Sequence, residues 1–278
     1  MPLTTTGELV TRARAARTAA VAFNIITLEH VEAVVTGAEA AGAPVVLQVS
    51  ENAVRFRQDR LLPLARAAVT VAEQAAVPVA LHLDHVRSDP LLHRAADAGF
   101  SSVMYDACRL PYAQNLAATR AAVDWAHSRG LWIEGELGEI GGKGAHAPGA
   151  RTDPAEARAF VDGSGVDALA VAVGSVHAMT TRTATLDHAL LARLAEAVDV
   201  PLVLHGSSGV PDDRLTAAVA GGIVKVNIGT ALNQALTQAV RGFLETEPTV
   251  VDPRRYLSAG REAMAHTVER TLRLLTRV

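Results

Sequence analysis

The amino-acid sequence predicts an α/β fold, a (β/α)8 TIM barrel with an N-terminal helix and a C-terminal helical extension, formed as a single domain over residues 1–278. Three observations predict it. Eight short apolar runs alternate with helical segments, glycine or proline separates many helices from the next run, and polar residues stand where the runs end. Barrels of about 250 residues commonly fold as one unit. An open, doubly wound sheet is the alternative, although no G-x-G-x-x-G motif follows the first strand.

The predicted elements follow in strict alternation. The strands cover residues 20–25, 45–49, 79–82, 101–105, 131–137, 168–173, 201–204 and 223–227. The helices cover residues 6–17, 28–41, 62–75, 90–98, 111–129, 154–161, 187–198, 212–220, 230–244 and 253–275, and a glycine-rich loop spans residues 138–152. Helices stop before strands at Gly42-Ala-Pro44, Val77-Pro78, Gly99, Gly130, Asp199-Val-Pro201 and Gly221-Gly222.

Composition and charge exclude several classes of protein. The formal net charge of −3 gives no indication of a nucleic-acid or anionic-membrane partner. The single cysteine, Cys108, rules out an internal disulfide framework and fits a reducing cytosol. The N-terminus lacks a long apolar stretch, and no run of about 18 apolar residues occurs. We therefore expect a cytoplasmic protein that neither spans nor binds a membrane.

The stretch Val77-Pro-Val-Ala-Leu-His-Leu-Asp-His85 concentrates polar chemistry at the end of a buried strand. His82, Asp84 and His85 can each bind a metal or move a proton, and unpaired polar groups are costly in a dry interior. Enzymes with a (β/α)8 barrel have their active sites at the carboxyl ends of the strands. For any one of these histidines, a hydrogen bond to a neighbouring loop is the alternative explanation.

Polar residues end every predicted strand. In chain order they are Asn24, Ser50, Asp84 with His85, Asp106, Glu136, His177, His205 and Asn227. His85, His177 and His205 come from three strands, and three imidazoles with an open position are typical of catalytic zinc. The sequence favours a metal site here, and three unrelated histidines remain the alternative.

Two further segments are typical of a phosphate-binding site. His205-Gly-Ser-Ser-Gly209 follows the seventh strand, and Asn227-Ile-Gly-Thr230 follows the eighth. Small residues let backbone N–H groups approach an anion, and the helix N-termini that follow add a favourable dipole. Barrels frequently bind phosphate after these two strands, although glycine and serine also simply form turns.

These residues and several motifs resemble the class II, zinc-dependent fructose/tagatose-bisphosphate aldolases, in particular the tagatose-type branch. The motifs are Ala22-Phe-Asn-Ile25 with Leu28-Glu-His30, Leu81-His-Leu-Asp-His85, Ser102-Val-Met104, Glu134-Gly-Glu-Leu-Gly138, Gly141-Gly142, Val173-Gly-Ser-Val-His177, Leu204-His-Gly-Ser-Ser208, Lys225-Val-Asn-Ile-Gly-Thr230, and the tail segments Asp252-Pro-Arg-Arg-Tyr256 and Arg261-Glu-Ala-Met264. They occur in family order from about residue 5 to about residue 275.

The resemblance implies a role for each matching residue. His85, His177 and His205 would hold one catalytic Zn²⁺, with Glu136 near an alternative metal position and a monovalent cation as a further cofactor. The zinc would polarise the carbonyl of dihydroxyacetone phosphate and stabilise an enediolate. Asp84 would transfer the proton at the aldehyde oxygen, and Asn227 would contact the donor. Substrate-binding positions would be Asn24, Ser50, Ala178, Gly206, Ser207, Ser208, Asn227, Ile228, Gly229 and Thr230.

The sequence departs from the family pattern in two places. The loop after the fifth strand, which usually carries acids, has no Asp or Glu between residues 141 and 152. Either His146 or Glu139 would then exchange the donor's C–H proton, or this step is weak. A solvated loop histidine is the alternative for His146. Ala178 stands where a glycine commonly follows the second zinc histidine.

The expected function is reversible cleavage of a phosphorylated ketose, such as fructose or tagatose 1,6-bisphosphate, into dihydroxyacetone phosphate and an aldehyde. A different aldehyde acceptor is the first alternative. A metal-dependent hydrolase is disfavoured because the first strand lacks a His-x-His pair, and a catalytically silent phosphate-binding protein because Asp84 is retained. The family's habit makes a homodimer or homotetramer the expected assembly.

Overall fold

A computed structural model describes residues 2–137 and 151–276 of the chain. Eight parallel strands close into a barrel in sequence order. They are β1 Ala20–Asn24, β2 Val45–Ser50, β3 Val79–Val86, β4 Ser102–Tyr105, β5 Trp132–Leu137, β6 Ala168–Val171, β7 Leu202–Leu204 and β8 Ile223–Ile228. Closure is made by β1 and β8, where Ala20 pairs with Lys225 and Ala22 with Asn227. The predicted barrel is therefore confirmed.

Helices surround the strands. Over the described ranges they are α1 Thr6–Ala16, α2 Leu28–Ala41, α3 Glu51–Phe56, α4 Leu62–Gln74, α5 Asp89–Leu92, α6 Tyr112–Ser128, α7 Pro154–Ser164, α8 His188–Ala197, α9 Asp212–Ala220, α10 Thr230–Thr246 and α11 Pro253–Leu275, with short 3-10 turns at Ala96–Ala98 and Ser207–Gly209. Among these described helices, none combines the length and apolarity needed to cross a bilayer.

Both ends of the chain pack against the barrel. The N-terminal helix α1 covers the amino-terminal end, where Leu9 and Val10 pack on Ala22 and Val46 of the strands. The C-terminal helix α11 packs on α2 and α10. Gly37 of α2 permits this approach, since a Cβ there would lie 2.4 Å from the carbonyl oxygen of Ala265. The carboxyl ends of the strands are left uncovered by either extension.

The barrel interior departs from the nearly apolar strands that the sequence indicated. Small apolar side chains fill its amino-terminal half, but buried polar side chains occupy the middle of four strands: Gln48, His82, Glu134 and Lys225. In a barrel, alternate residues of each strand point inward. A polar residue within an apolar run therefore belongs to the interior, where it needs a partner.

Two local predictions were wrong. Strand β3 does not end at residue 82 but continues to Val86. Its pairing with β4 shifts register between Leu83 and Val86, and His85 has left-handed backbone with φ of 51°. The predicted helix 90–98 is in fact α5 followed by a 3-10 turn, and α3 was not predicted. Helix α3 begins directly after β2 because the Ser50 hydroxyl accepts a hydrogen bond from the Ala53 N–H.

Candidate active site

A pocket of about 200 Å³ opens at the carboxyl ends of the strands. Most of the residues singled out in the sequence meet there: Asn24, Ser50, Asp84, His85, His177, Ala178, His205, Gly206, Ser208, Asn227, Gly229 and Thr230. The bulge in β3 explains how neighbouring residues share it. Side chains of adjacent residues on a regular strand point to opposite faces, but the left-handed backbone at His85 turns both Asp84 and His85 into the pocket. The bend lies at His85, inside the strand.

Three histidine rings converge at the pocket floor. The ring centroids are 5.1 Å apart for His85 and His177, 5.0 Å for His85 and His205, and 5.5 Å for His177 and His205. One nitrogen from each ring lies within 4.8 Å of the other two. His85 and His205 are buried, whereas His177 is partly exposed. Three convergent imidazole nitrogens beside an open pocket suit a divalent transition metal.

Left-handed backbone occurs at or directly after each of the three histidines. His85 itself has positive φ, Ala178 after His177 has φ of 60°, and Gly206 after His205 has φ of 68°. At Gly206 only glycine fits, since a Cβ there would lie 2.7 Å from the carbonyl of Val176. Left-handed backbone is costly for non-glycine residues, so His85 and Ala178 place local strain at this pocket.

Hydrogen bonds determine which nitrogen of His85 is available. Its Nδ1 lies 3.0 Å from Asp106 Oδ2, which also accepts from the guanidinium of Arg87 at 2.9 Å. Burial opposes ionisation of Asp106, but the hydrogen bond and charge of His85 together with the nearby Arg87 hold the pKa of Asp106 well below its ordinary value. A carboxylate accepts a hydrogen bond from Nδ1–H, so Nε2 keeps its lone pair for a metal.

The same arrangement is found at His205 in the barrel interior. Its Nε2 donates to Glu134 Oε1 at 2.7 Å, and the other oxygen of Glu134 accepts from Lys225 Nζ at 2.8 Å. His205 Nδ1 is buried and has no hydrogen-bond partner among the described residues. An orphaned ring nitrogen in a dry interior is costly unless it has a ligand, so the site fits a metal ion.

Glu136 belongs to a second group of convergent ligand atoms. One atom each of His85, Asp106 and Glu136 lies within 4.8 Å of the other two. All three residues are buried. The two groups share His85.

The remaining polar groups of the pocket are connected to one another. Asn24 Nδ2 donates to Asp84 Oδ2 at 3.4 Å, and that oxygen lies 3.8 Å from His85 Nε2. Asn227 accepts from Lys225 Nζ through Oδ1 at 2.8 Å and places Nδ2 3.0 Å from His205 Nε2. Asp84 therefore lies beside the candidate metal-binding nitrogens rather than on a separate wall.

The predicted phosphate-binding segments lie side by side after β7 and β8. Gly206, Ser208, Gly229 and Thr230 line the pocket, and α10 begins at Thr230. The side chains of Ser207 and Ile228 instead line a neighbouring cavity, and the Ser207 hydroxyl donates to the Leu204 carbonyl at 3.1 Å. Their predicted part in binding would therefore be limited to backbone atoms. His146 and Glu139 lie outside the described residues, so their predicted role stays a prediction.

Sequence reasoning assigned no role to Gln48, Glu134 or Lys225, and it placed His82 in the site. His82 is fully buried and its Nδ1 lies 2.7 Å from the Ser102 hydroxyl, away from the three metal-binding nitrogens. The sequence does contain a signal for Glu134 and Lys225, because a charged residue in the middle of a buried strand needs a partner across the barrel.

Comparison with known proteins agrees with this geometry. The family model for class II fructose-bisphosphate aldolase matches residues 4–278. The fructose-bisphosphate aldolase of Geobacillus stearothermophilus is 36% identical over 272 residues, which are 96% of this chain and 95% of that protein.

Two solved structures share the fold. The YdjI aldolase from Escherichia coli K12 has a TM-score of 0.84 at 31% identity, covering 98% of this chain and 97% of that one. A putative fructose-1,6-bisphosphate aldolase from Coccidioides immitis has a TM-score of 0.87 at 30% identity, covering 98% and 96%. Family model, relatives and structures all extend over nearly the whole chain. The chain therefore belongs to the class II fructose-bisphosphate aldolase family, and the protein is an aldolase, an enzyme of the aldehyde-lyase type.

Proposed function

We propose that the protein is a Zn²⁺-dependent aldolase that reversibly cleaves a phosphorylated ketose, such as fructose or tagatose 1,6-bisphosphate, into dihydroxyacetone phosphate and an aldehyde. The observation that carries this proposal is the pocket itself. It unites His85, His177 and His205 with a buried carboxylate, Asp84, and with the small-residue turns after β7 and β8. A carbonyl substrate with a phosphate group needs all three features.

His85, His177 and His205 would hold the zinc, through Nε2 of His85 and Nδ1 of His205. When bound, the ion would supply a Lewis acid that polarises the ketone carbonyl of the donor. The buried partners Asp106 and Glu134 orient the two rings, as carboxylates commonly do for metal-binding histidines.

Asp84 would carry the proton of the carbon–carbon bond step. In cleavage its carboxylate removes the hydroxyl proton of the ketose, the bond to the donor carbon breaks, and the bonding electron pair remains on the donor. In condensation the proton returns to the aldehyde oxygen. Asp84 is suited to this because it is 2% exposed and lies 3.8 Å from His85 Nε2, next to the ketone's expected position.

The donor phosphate would lie against the turns after β7 and β8. Gly206 and Gly229 leave their backbone open to an anion, and α10 directs its N-terminal N–H groups toward the same side. Asn24, Ser50 and Ala178 complete the wall, and Asn227 would contact the donor through Nδ2. We retain His146 as the proposed group that exchanges the donor's C–H proton.

Proton exchange in the donor tests the proposal without knowledge of the aldehyde. The protein is incubated with dihydroxyacetone phosphate in D₂O, with and without a chelator, and the exchangeable C–H signal is followed by proton NMR. Loss of the signal that stops on chelation and resumes with added Zn²⁺ is the expected result. An unchanged signal with fully zinc-loaded protein would overturn the proposed donor. A panel of aldehydes then distinguishes the acceptor, for which a different aldehyde is the alternative.

The cell compartment and assembly are also proposals. We propose a cytoplasmic homodimer or homotetramer, on the resemblance to the family and on the single cysteine. Sedimentation velocity at micromolar concentration measures the assembly directly, and a single monomer peak would contradict it.

A further inference from the structure

One fully buried ammonium group lies directly beneath the pocket. Lys225 of β8 is 0% exposed, and its Nζ donates to Glu134 Oε2 at 2.8 Å, to Asn227 Oδ1 at 2.8 Å and to Gln48 Oε1 at 3.4 Å. A lysine ammonium has three donors. All three are therefore engaged, by acceptors on strands β5, β8 and β2.

The first contact of Lys225 leads to a metal-binding histidine. Glu134 accepts from Lys225 with one oxygen and from His205 Nε2 with the other, at 2.7 Å. This keeps the hydrogen of the ring on Nε2 and leaves Nδ1 as the acceptor nitrogen that faces the other histidines. Without Lys225, a buried Glu134 would be held by His205 alone, and its orientation would be less restricted.

The second and third contacts lead to amide side chains of the pocket. Asn227 accepts from Lys225 through Oδ1, so its Nδ2 lies 3.0 Å from His205 Nε2, a proximity that is not a hydrogen bond while Nε2 donates to Glu134. Gln48 accepts through Oε1 and donates through Nε2 to Asn24 Oδ1 at 3.1 Å. Asn24 in turn donates through Nδ2 to Asp84 Oδ2 at 3.4 Å. Each amide can therefore adopt only one of its two orientations.

Lys225 itself does not face the substrate. The pocket is lined by its neighbours on β8 and by the groups it orients, and its amine has neither exposure nor a spare donor. It is therefore unsuited to act as an amine nucleophile. A buried ion pair is also a poor source of stability compared with packed apolar side chains, which points to a role in orientation.

We propose that Lys225 is a positioning residue that, from beneath the pocket, sets the ring orientation of His205 and the amide orientations of Asn227 and Asn24. Its effect on metal binding is independent of the reaction. Its effect on turnover rests on the proposed function.

The test compares single-contact variants with loss of all three contacts. Lys225→Met removes every donor at similar length, Glu134→Gln removes the counter-charge of Lys225 and the carboxylate acceptor of His205, and Gln48→Met breaks the link to Asn24 and Asp84. Ser102→Ala is the matched control, because Ser102 is a buried polar residue of the same interior whose hydroxyl contacts His82 and Thr6. Circular dichroism checks that each variant folds.

Zinc affinity, measured by competition with a chromogenic chelator and without substrate, is the first readout. Lys225→Met and Glu134→Gln should each weaken zinc about 10- to 100-fold, as loss of a metal ligand's carboxylate partner commonly does. The zinc affinities of Gln48→Met and Ser102→Ala should stay within about threefold of the affinity of the unsubstituted protein. Such a change is too small to reflect loss of the carboxylate partner of a metal-binding histidine. The visible spectrum of the Co²⁺-substituted protein should change only in the first two variants.

Turnover is the second readout. Gln48→Met should lower kcat by a larger factor than it raises KM, because it frees Asn24 and, through Asn24, the proton-transferring Asp84. The proposal would be overturned if Lys225→Met leaves both the zinc affinity and the Co²⁺ spectrum unchanged. If that variant does not fold, the same result in Glu134→Gln would overturn it. Absence of donor exchange in the unsubstituted protein would instead contradict the proposed function, and the ratio of zinc affinities would still decide the role of Lys225.

Discussion

Two glutamates of β5 show how different two neighbouring regions of the barrel are. Glu134 and Glu136 are two residues apart, point to the same side of the strand, and are 0% and 3% exposed. Burial raises the pKa of both. For Glu134 this is outweighed by the Lys225 ammonium and the hydrogen bond from His205, which lower its pKa to about 2. For Glu136 burial dominates and the charge of Asp106 adds to it, so its pKa is raised.

We call these regions the interior network, formed by Gln48, Glu134, Lys225, Asn227 and His205, and the rim cluster, formed by His85, Asp106, Cys108 and Glu136. The interior network contains its own counter-charge, and all three donors of its lysine are engaged. The rim cluster gathers carboxylates around one histidine and lacks a lysine. Depth in the barrel determines the free-energy cost of burying a charged group, whereas the partner across the barrel determines whether a buried carboxyl group ionises.

The largest expected effect is a difference in stability between two matched substitutions. Glu134→Gln should cost about 3–5 kcal/mol of unfolding free energy, because it leaves Lys225 buried without a counter-charge. Glu136→Gln should change it by about 1 kcal/mol or less, since the replaced carboxyl is the one whose pKa is raised. Guanidinium denaturation of the metal-free proteins measures both, and equal losses would remove the distinction between the regions.

The pH dependence of stability sharpens the comparison through His82. Burial, followed by the charge of Lys225, lowers the pKa of His82 from 6.5 to about 3. Between these values the unfolded chain binds a proton that the folded protein does not, so the unfolding free energy falls as pH falls from 6.5 toward 3. The slope for this residue reaches about 1.4 kcal/mol per pH unit.

Denaturation at pH 6.5 and at pH 5 samples this dependence while Glu134 stays ionised, because both values lie above the ordinary glutamate range. Burial also lowers the pKa of His30, so the contribution of His82 is the difference between the unsubstituted protein and its His82 variant. His82→Gln should flatten the dependence in that window, and His127→Gln, at an exposed histidine, serves as the control. An unchanged slope in His82→Gln would show that His82 is protonated in the folded protein.

The third prediction concerns the thiol of the rim cluster. Cys108 Sγ donates to Asp106 Oδ1 at 3.0 Å, and burial together with Glu136 and Asp106 raises its pKa. We expect iodoacetamide at pH 8 to alkylate it at least about tenfold more slowly than in the unfolded chain, because the thiolate is the nucleophile. Glu136→Gln should accelerate the reaction, and Asp162→Asn in α7, whose carboxylate is not among the charges that raise the pKa of Cys108, should not. As the only cysteine, Cys108 gives an unambiguous signal by mass spectrometry.

The smallest expected effect concerns backbone strain at the pocket. Ala178 adopts φ of 60°, where a side chain costs roughly 1–2 kcal/mol, and glycine gains flexibility in the unfolded state worth about 0.4–1 kcal/mol. Ala178→Gly should therefore stabilise the protein by about 1 kcal/mol or less. Arg17→Gly, at φ of 53° far from the pocket, is the matched control, and thermal denaturation measures both. A clear loss of stability at Ala178 alone would indicate a packing role for its methyl group.

Helix positions followed closely from local chemistry. The predicted ranges 28–41, 212–220 and 253–275 coincide with α2, α9 and α11, because Gly42 in left-handed backbone ends the first and proline begins or precedes the others. The end of β3 was misplaced because the bulge at His85 depends on pairing with β4. Local sequence carries no record of a register shift between strands.

The sequence by itself determined the alternation of strands and helices and the polar residues at the strand ends, since periodicity, caps and turn residues act over a few positions. Only the tertiary structure decided what those residues contact. Lys225 reaches Gln48 across 177 positions of sequence and Glu134 across 91, and both contacts exist because the barrel closes through β1 and β8. Because the barrel closes, Glu134 forms an ion pair with Lys225, whereas Glu136 lies close to the carboxylate of Asp106. Identical side chains on one strand therefore acquire opposite properties from partners that only folding supplies.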